Sequence, residues 1–182
     1  MTVQGLKFAR VAIACFTFLA TAPGAALAQG SKCTGMEIGA AGKKAGGKAK
    51  CWSKATGNGL AVDSTCLSGA EGKFAASYGK AVGRADCVNS TAEGTIETKV
   101  DNFINDLVTE INGGTGTPTA SKCSSKEIGA AGKKAGALLK CYAKAASKGL
   151  PLDTTCTGKA VTKFGASSSA SISSFSRYVT SG

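Results

Sequence analysis

The sequence predicts an all-α protein: two disulfide-stapled, antiparallel helical hairpins in tandem, gathered with one further helix into a small bundle of about five helices. Three observations predict it. The 36 residues at 31–66 return at 121–156 with 22 identities and no gap, the mark of a duplicated structural unit. Apolar residues in the long segments recur at intervals of three and four. Cysteines stand at the ends of those segments, where antiparallel helices would bring them together.

Residues 1–28 have the form of an export signal: Lys7 and Arg10 precede an apolar run at 11–20, and Ala26-Leu27-Ala28 supplies a small-x-small cleavage site. The run is too short, and too soon followed by Pro23 and Gly24, for a permanent membrane anchor. Cys15 lies inside the run with the cleavage site after it, so cleavage is the stronger reading and lipidation the weaker. The mature chain is expected to begin near Gln29, in the periplasm or outside the cell, where disulfides persist. Its expected organisation is a first repeat unit at 29–112, a linker at 113–121 and a second, truncated unit at 122–182.

Each unit opens with a candidate capping box, Thr34-x-x-Glu37 and Ser124-x-x-Glu127. Ile38, Ala41, Ala45, Ala49 and Trp52 then form a helical stripe, repeated by Ile128, Ala131, Ala135, Leu139 and Tyr142. Gly57 to Gly59 and Gly149 stop the two helices. Asp63 and Asp153 are N-caps of a second helix in each unit. Leu67, Ala70, Phe74, Tyr78 and Ala81 make its apolar face in the first copy; Val161, Phe164, Ser168, Ile172, Phe175 and Val179 continue that period in the second. Gly39, Gly42 and Gly46 would let a neighbouring helix come close, although each glycine costs about 1 kcal/mol relative to alanine in a helix interior. Alanine and glycine supply much of the apolar content, so covalent staples are expected.

At 1.5 Å per residue, Cys33 stands roughly 27 Å from Cys51 along one helix, and Cys66 roughly 31 Å from Cys87 along the next. Antiparallel packing therefore joins Cys51 to Cys66 near the loop and Cys33 to Cys87 at the open end. By repetition Cys141 pairs with Cys156. The loop-side bridge should stabilise the fold by about 3 kcal/mol through chain entropy. The position matching Cys87 is Arg177, which leaves Cys123 as an odd thiol. It either pairs with another chain or is simply sheltered.

The strongest amphipathic pattern runs over 91–111, with Ile96, Val100, Phe103, Leu107 and Ile111 on one face. It carries Glu93, Glu97, Asp101, Asp106 and Glu110 against Lys99 alone, between segments that are both basic. This acidic helix is expected to dock on the lysine-bearing hairpins.

Motifs for chemistry are missing. There is no histidine, which removes the commonest general base and neutral metal ligand. The cysteines are not in C-x-x-C pairs, so neither a zinc nor an iron–sulfur site is expected. The run beginning Gly39-Ala40-Ala41-Gly42-Lys43-Lys44 lacks the spacing of a phosphate loop and lies inside a helical period. No cofactor and no catalytic residue is expected.

Lysine has the most functional potential. Lys43, Lys50 and Lys54 share one face of the first helix, and Lys133, Lys140 and Lys144 repeat them. The full chain carries +11, and about +9 without the leader, which favours contact with a polyanion or an anionic cell surface. The bland alternative is a solvated face partly neutralised by the acidic helix. No aromatic or arginine cluster supports sequence-specific nucleic-acid binding.

The order Lys32-Cys33, then AAGKKA at 40–45, then Lys50-Cys51 with Lys54 three residues on, then Gly59-Leu60, Asp63, Cys66 and Lys73-Phe74, resembles a group of uncharacterised, exported, alanine- and lysine-rich bacterial proteins built from such repeats. That resemblance implies stapled hairpins and export, and implies no activity. The cysteine arrangement is also similar to the twin-cysteine hairpins of mitochondrial intermembrane-space proteins, at different spacings. The expected function is that of an exported, non-enzymatic binding or structural protein held to anionic polymers by its lysine faces. The alternatives are an assembly or scaffold subunit that forms a homodimer through Cys123 and the second hairpin, and a membrane-active toxin.

Overall fold

The computed structural model describes residues 30–87 and 91–165, all of it helix, turn and coil. Helices α1 (Lys32–Asn58), α2 (Ser64–Val82), α3 (Glu93–Ile111) and α4 (Lys122–Lys148) are followed by α5, helical over 154–165. The expected leader, the apolar positions 168–179 and Arg177 lie outside the described residues.

The local rules that place these helices are repeated between the copies. Asp63 Oδ1 accepts from the Thr65 N–H and Asp153 Oδ1 from the Thr155 N–H, both at 2.9 Å, which starts α2 and α5 as expected. Gly59 and Gly149 end α1 and α4 in the left-handed region, at φ 63° and 62°, where a residue with a Cβ would be strained.

The helix starts differ from expectation. Thr34 and Ser124 are not the caps; Ser31 and Ser121 are, each accepting from the N–H three residues on. The helices therefore begin earlier, and Cys33 and Cys123 lie within the first turn. At α1 the cap is completed from a distance. Asp86, beyond the end of α2, accepts from the Lys32 and Cys33 N–H groups at 3.1 and 3.2 Å, and the Ser31 hydroxyl donates to the Asp86 carbonyl at 2.6 Å. Donors that a helix start leaves orphaned are satisfied by the chain that Cys87 ties down.

The bridges are Cys33–Cys87, Cys51–Cys66 and Cys141–Cys156, with Cα separations of 4.9, 5.9 and 5.9 Å. They lock α1 against α2 and α4 against α5 as antiparallel hairpins, the pairing that helical rise predicts.

The largest interface joins the two copies. Helices α1 and α4 lie antiparallel in the most extensive contact of the fold, and the glycine positions make it possible. A Cβ on Gly132 would stand 2.2 Å from that of Ala49, and one on Gly35 would stand 2.6 Å from the Ala143 carbonyl oxygen. The contact is self-complementary. Ser31 N–H donates to Ala146 O and Ser121 N–H to Thr56 O, each at 3.0 Å. The Ser53 hydroxyl donates to Ser125 O and the Ser125 hydroxyl to Ser53 O, each at 2.7 Å. A local two-fold axis thus relates the copies, as in an isologous dimer made within one chain.

Helix α3 lies across this pair. Val100, Ile104 and Val108 bury against Ala41, Ala45 and Ala49 of α1 and Ile128 of α4, with Trp52, Ala135 and Leu139 at the margin. Its Ile96 also reaches Ala40, Phe74 and Tyr78, so it seals the groove between α1 and α2. The Tyr78 hydroxyl donates to the Thr91 carbonyl, which fixes the entry to α3.

Candidate functional site

The acidic helix docks on lysines, but on a pair that sequence reasoning did not single out. Lys44, 1% exposed, places Nζ 2.9 Å from Glu97 and 3.1 Å from Asp101 of α3, and also against Glu71 of α2. Lys48 bridges Glu71 and Asp101, each at 2.6 Å. Two ammonium groups and three carboxylates interlock α1, α2 and α3, and the Lys44 ammonium also lies 5.0 Å from the centre of the Phe74 ring.

Burial works against the charge on Lys44, yet hydrogen bonds to Glu71, Glu97 and Asp101 outweigh it and raise the pKa above its ordinary 10.5. Burial likewise opposes ionisation of Glu71, and the bonds from Lys44 and Lys48 overcome that, taking it from 4.5 down to about 2. These groups are charged across the ordinary pH range. The carboxylates of Glu71, Glu97 and Asp101 lie close enough together to hold a cation, but the two lysines already supply the positive charge. Cys33 and Cys87 beside Glu37 form the other such group; their sulfurs are bonded to each other.

The six lysines of the expected stripes have a different environment. Lys43, Lys50, Lys54, Lys133, Lys140 and Lys144 are all exposed, and none pairs with a carboxylate among the described residues. At about 100° per residue, Lys43, Lys50 and Lys54 point roughly 180° away from Ala41, Ala45 and Trp52, the residues under α3. The two-fold relation turns α4 end for end while keeping its α3-facing side up, as Ile128, Ala135 and Leu139 show. Both lysine rows therefore lie on one face of the α1–α4 pair, the face opposite α3. Along α1 the row spans roughly 17 Å, and the α4 row runs beside it in the reverse direction. Lys126, which takes the place of Met36 in the copy, is exposed at the same helical angle and extends the α4 row.

Sequence reasoning found these rows because helical spacing alone defines them. It missed the division of labour between Lys43 and Lys44, adjacent residues about 100° apart. Which of the two is buried depends on where α3 lands.

Cys123 is half-buried, with no disulfide partner among the described residues. Its thiol donates toward Glu127 Oε1 at 3.7 Å. Burial first, and the Glu127 charge second, raise its pKa, so the thiol stays protonated at neutral pH and is a poor nucleophile. A groove of about 360 Å³ opens between α4 and α5, lined by Ala130, Lys134, Ala160 and Phe164 among others. A smaller hollow lies at the α4–α5 loop beside Cys141 and Cys156. Among the described residues no helix is long and apolar enough to cross a membrane, and the three disulfides fit a non-reducing compartment.

Comparison with protein-family models, with curated proteins and with solved structures finds no match.

Proposed function

We propose that the protein is an exported, non-enzymatic binding protein that associates with anionic polymers of the cell envelope or its surroundings through the lysine face of the α1–α4 pair. The observation that carries the reading is the gathering of both lysine rows on one side, while the acidic helix occupies the opposite side and neutralises a separate pair. Glu97 and Asp101, two of the five acids of α3, are engaged inside the bundle by Lys44 and Lys48. The opposite face keeps its charge.

The chemistry of that face fits a repeating polyanion better than a defined sequence. Lysine ammonium groups are point charges without the planar fork of arginine, and arginine occurs only at 10, 84 and 177. Staggered lysines on two stapled helices suit a flexible chain of sulfates, phosphates or carboxylates. The export-like leader and the disulfide staples support a periplasmic or extracellular location, where such polymers occur.

The test is titration of the oxidised protein with a sulfated dextran across salt concentrations. If the six lysines engage together, affinity should fall about a thousandfold between 50 and 200 mM salt. Salt-insensitive binding, or no binding at low salt, would remove the proposal.

A further inference from the structure

The groove between α4 and α5 has an internal template. Its lining residues Ala130, Lys134, Ala160 and Phe164 match Ala40, Lys44, Ala70 and Phe74 of the first hairpin across the ninety-residue offset. Each hairpin sets its lysine against its phenylalanine: the Lys134 ammonium is 4.4 Å from the centre of the Phe164 ring, as Lys44 is from that of Phe74 at 5.0 Å. In the first hairpin the first turns of α3 fill the groove, with Ile96 against Ala40 and Phe74 and with Glu97 and Asp101 on Lys44. In the second, no helix among the described residues fills the groove.

Three replacements explain the difference. Gly47 packs a bare Cα face against Ala70, where a Cβ would come within 3.2 Å; Ala137 carries that Cβ and lines the groove. Lys48 becomes Leu138, and Glu71 becomes Val161, which is 49% exposed. The second groove has thus lost its internal carboxylate and gained apolar margin, while Lys134 keeps its place over the ring. Lys134 has no carboxylate partner among the described residues, and 154–182 contains neither Asp nor Glu. The acids that Glu97 and Asp101 bring to Lys44 have no counterpart at Lys134 among the described residues.

We infer that the α4–α5 groove is a docking site for an acidic amphipathic helix of a partner protein. The occupant presents an apolar side chain to Ala130 and Phe164, with carboxylates one and five residues further on for Lys134, the spacing of Ile96, Glu97 and Asp101 in α3. This goes beyond the polyanion reading: the groove borders the lysine face and shares Lys133 with its α4 row, but it uses none of the α1 row.

The probe is a labelled, capped peptide of residues 91–112, titrated by fluorescence anisotropy into the full oxidised chain. Saturable binding below about 1 mM is expected, with a scrambled peptide of the same composition at least about tenfold weaker. Val161→Glu restores the carboxylate of the first hairpin beside Lys134 and should weaken the peptide about tenfold without lowering the melting temperature. Lys134→Gln should do the same. Replacing Lys43, Lys50 and Lys54 with Gln should leave peptide affinity unchanged, which separates this site from the lysine face. Absence of saturable binding, equal binding of the scrambled peptide, or indifference to Val161→Glu would each overturn the inference.

Discussion

In the first hairpin Lys44 is sealed under α3 among three carboxylates; in the second, Lys134 stands over the equivalent ring beside a groove that no helix among the described residues fills. The two segments share most of their residues and the loop-side staple, Cys51–Cys66 matching Cys141–Cys156, so the contrast does not come from helix propensity or from that bridge. It comes from Gly47, Lys48 and Glu71, replaced by Ala137, Leu138 and Val161, and from the single acidic helix that serves both halves. Duplication produced a symmetric α1–α4 core, and α3 broke the symmetry by covering one flank. A bound charge became structural on that side and remained available on the other.

The contrast is broken most severely at Lys44. Lys44→Met leaves Glu71, Glu97 and Asp101 crowded without their central cation; removing one partner of a buried pair costs 3–5 kcal/mol, and the partial exposure of the carboxylates reduces the expected loss to about 2–3 kcal/mol. Lys134→Met should change stability by less than about 0.5 kcal/mol. Chemical denaturation of the two variants checks the pair; equal losses would deny the asymmetry.

The shared core is tested at its closest approach. Gly132→Ala drives a Cβ into that of Ala49, and overpacking of this kind should outweigh the propensity gain by about 1–2 kcal/mol. Gly72→Ala, on α2 with nothing within 4 Å, should stabilise by up to about 1 kcal/mol. Thermal melts that rank the two the other way would refute the glycine-mediated contact.

Acid should separate the halves. Glu71 has its pKa depressed from 4.5 to about 2, so its contribution is complete above 4.5 and is lost as pH falls toward 2. Lys44 has its pKa raised above 10.5, so its contribution is present below that value and is lost above it. Val161 provides no such dependence in the second hairpin. The single tryptophan, Trp52, borders the α3 core, and its fluorescence should report loosening of α3 between pH 4.5 and 2, while exchange protection in α4 and α5 changes less.

Capping gives the smallest expected difference. Ser121→Ala should cost about 1 kcal/mol; Ser31→Ala should cost somewhat more, because Ser31 also donates to Asp86. A double comparison by denaturation resolves the increment.

Much of this fold is legible in the sequence because it rests on short-range rules. Helical rise fixes which cysteines meet, Asp63 and Asp153 mark helix starts, and Gly59 and Gly149 mark helix ends. What escapes the sequence depends on tertiary register. Capping boxes at Thr34 and Ser124 are plausible locally, but Ser31 and Ser121 start the helices one turn earlier by accepting from the Thr34 and Ser124 N–H groups, with help from Asp86 at α1. Val161 continues an apolar period and yet faces outward, because Ala160 takes the buried place that Ala70 holds in the first copy. The glycines of α1 advertise a close neighbour without saying which, and it is α4 rather than α2 that uses most of them. The lysine rows follow from spacing; that both lie on one face follows only from the two-fold packing of α1 on α4.

The most direct measurement compares two charge-matched variants in sulfated-dextran binding at low salt: Lys43, Lys50 and Lys54 to Gln, against Lys80, Lys99 and Lys159 to Gln. Both remove equal charge. If the α1–α4 face is the binding surface, the first variant should lose at least about tenfold more affinity than the second and show a shallower salt slope, reduced by about three contacts. Equal losses in the two variants would mean that net charge alone governs binding, and would contradict the face as a site.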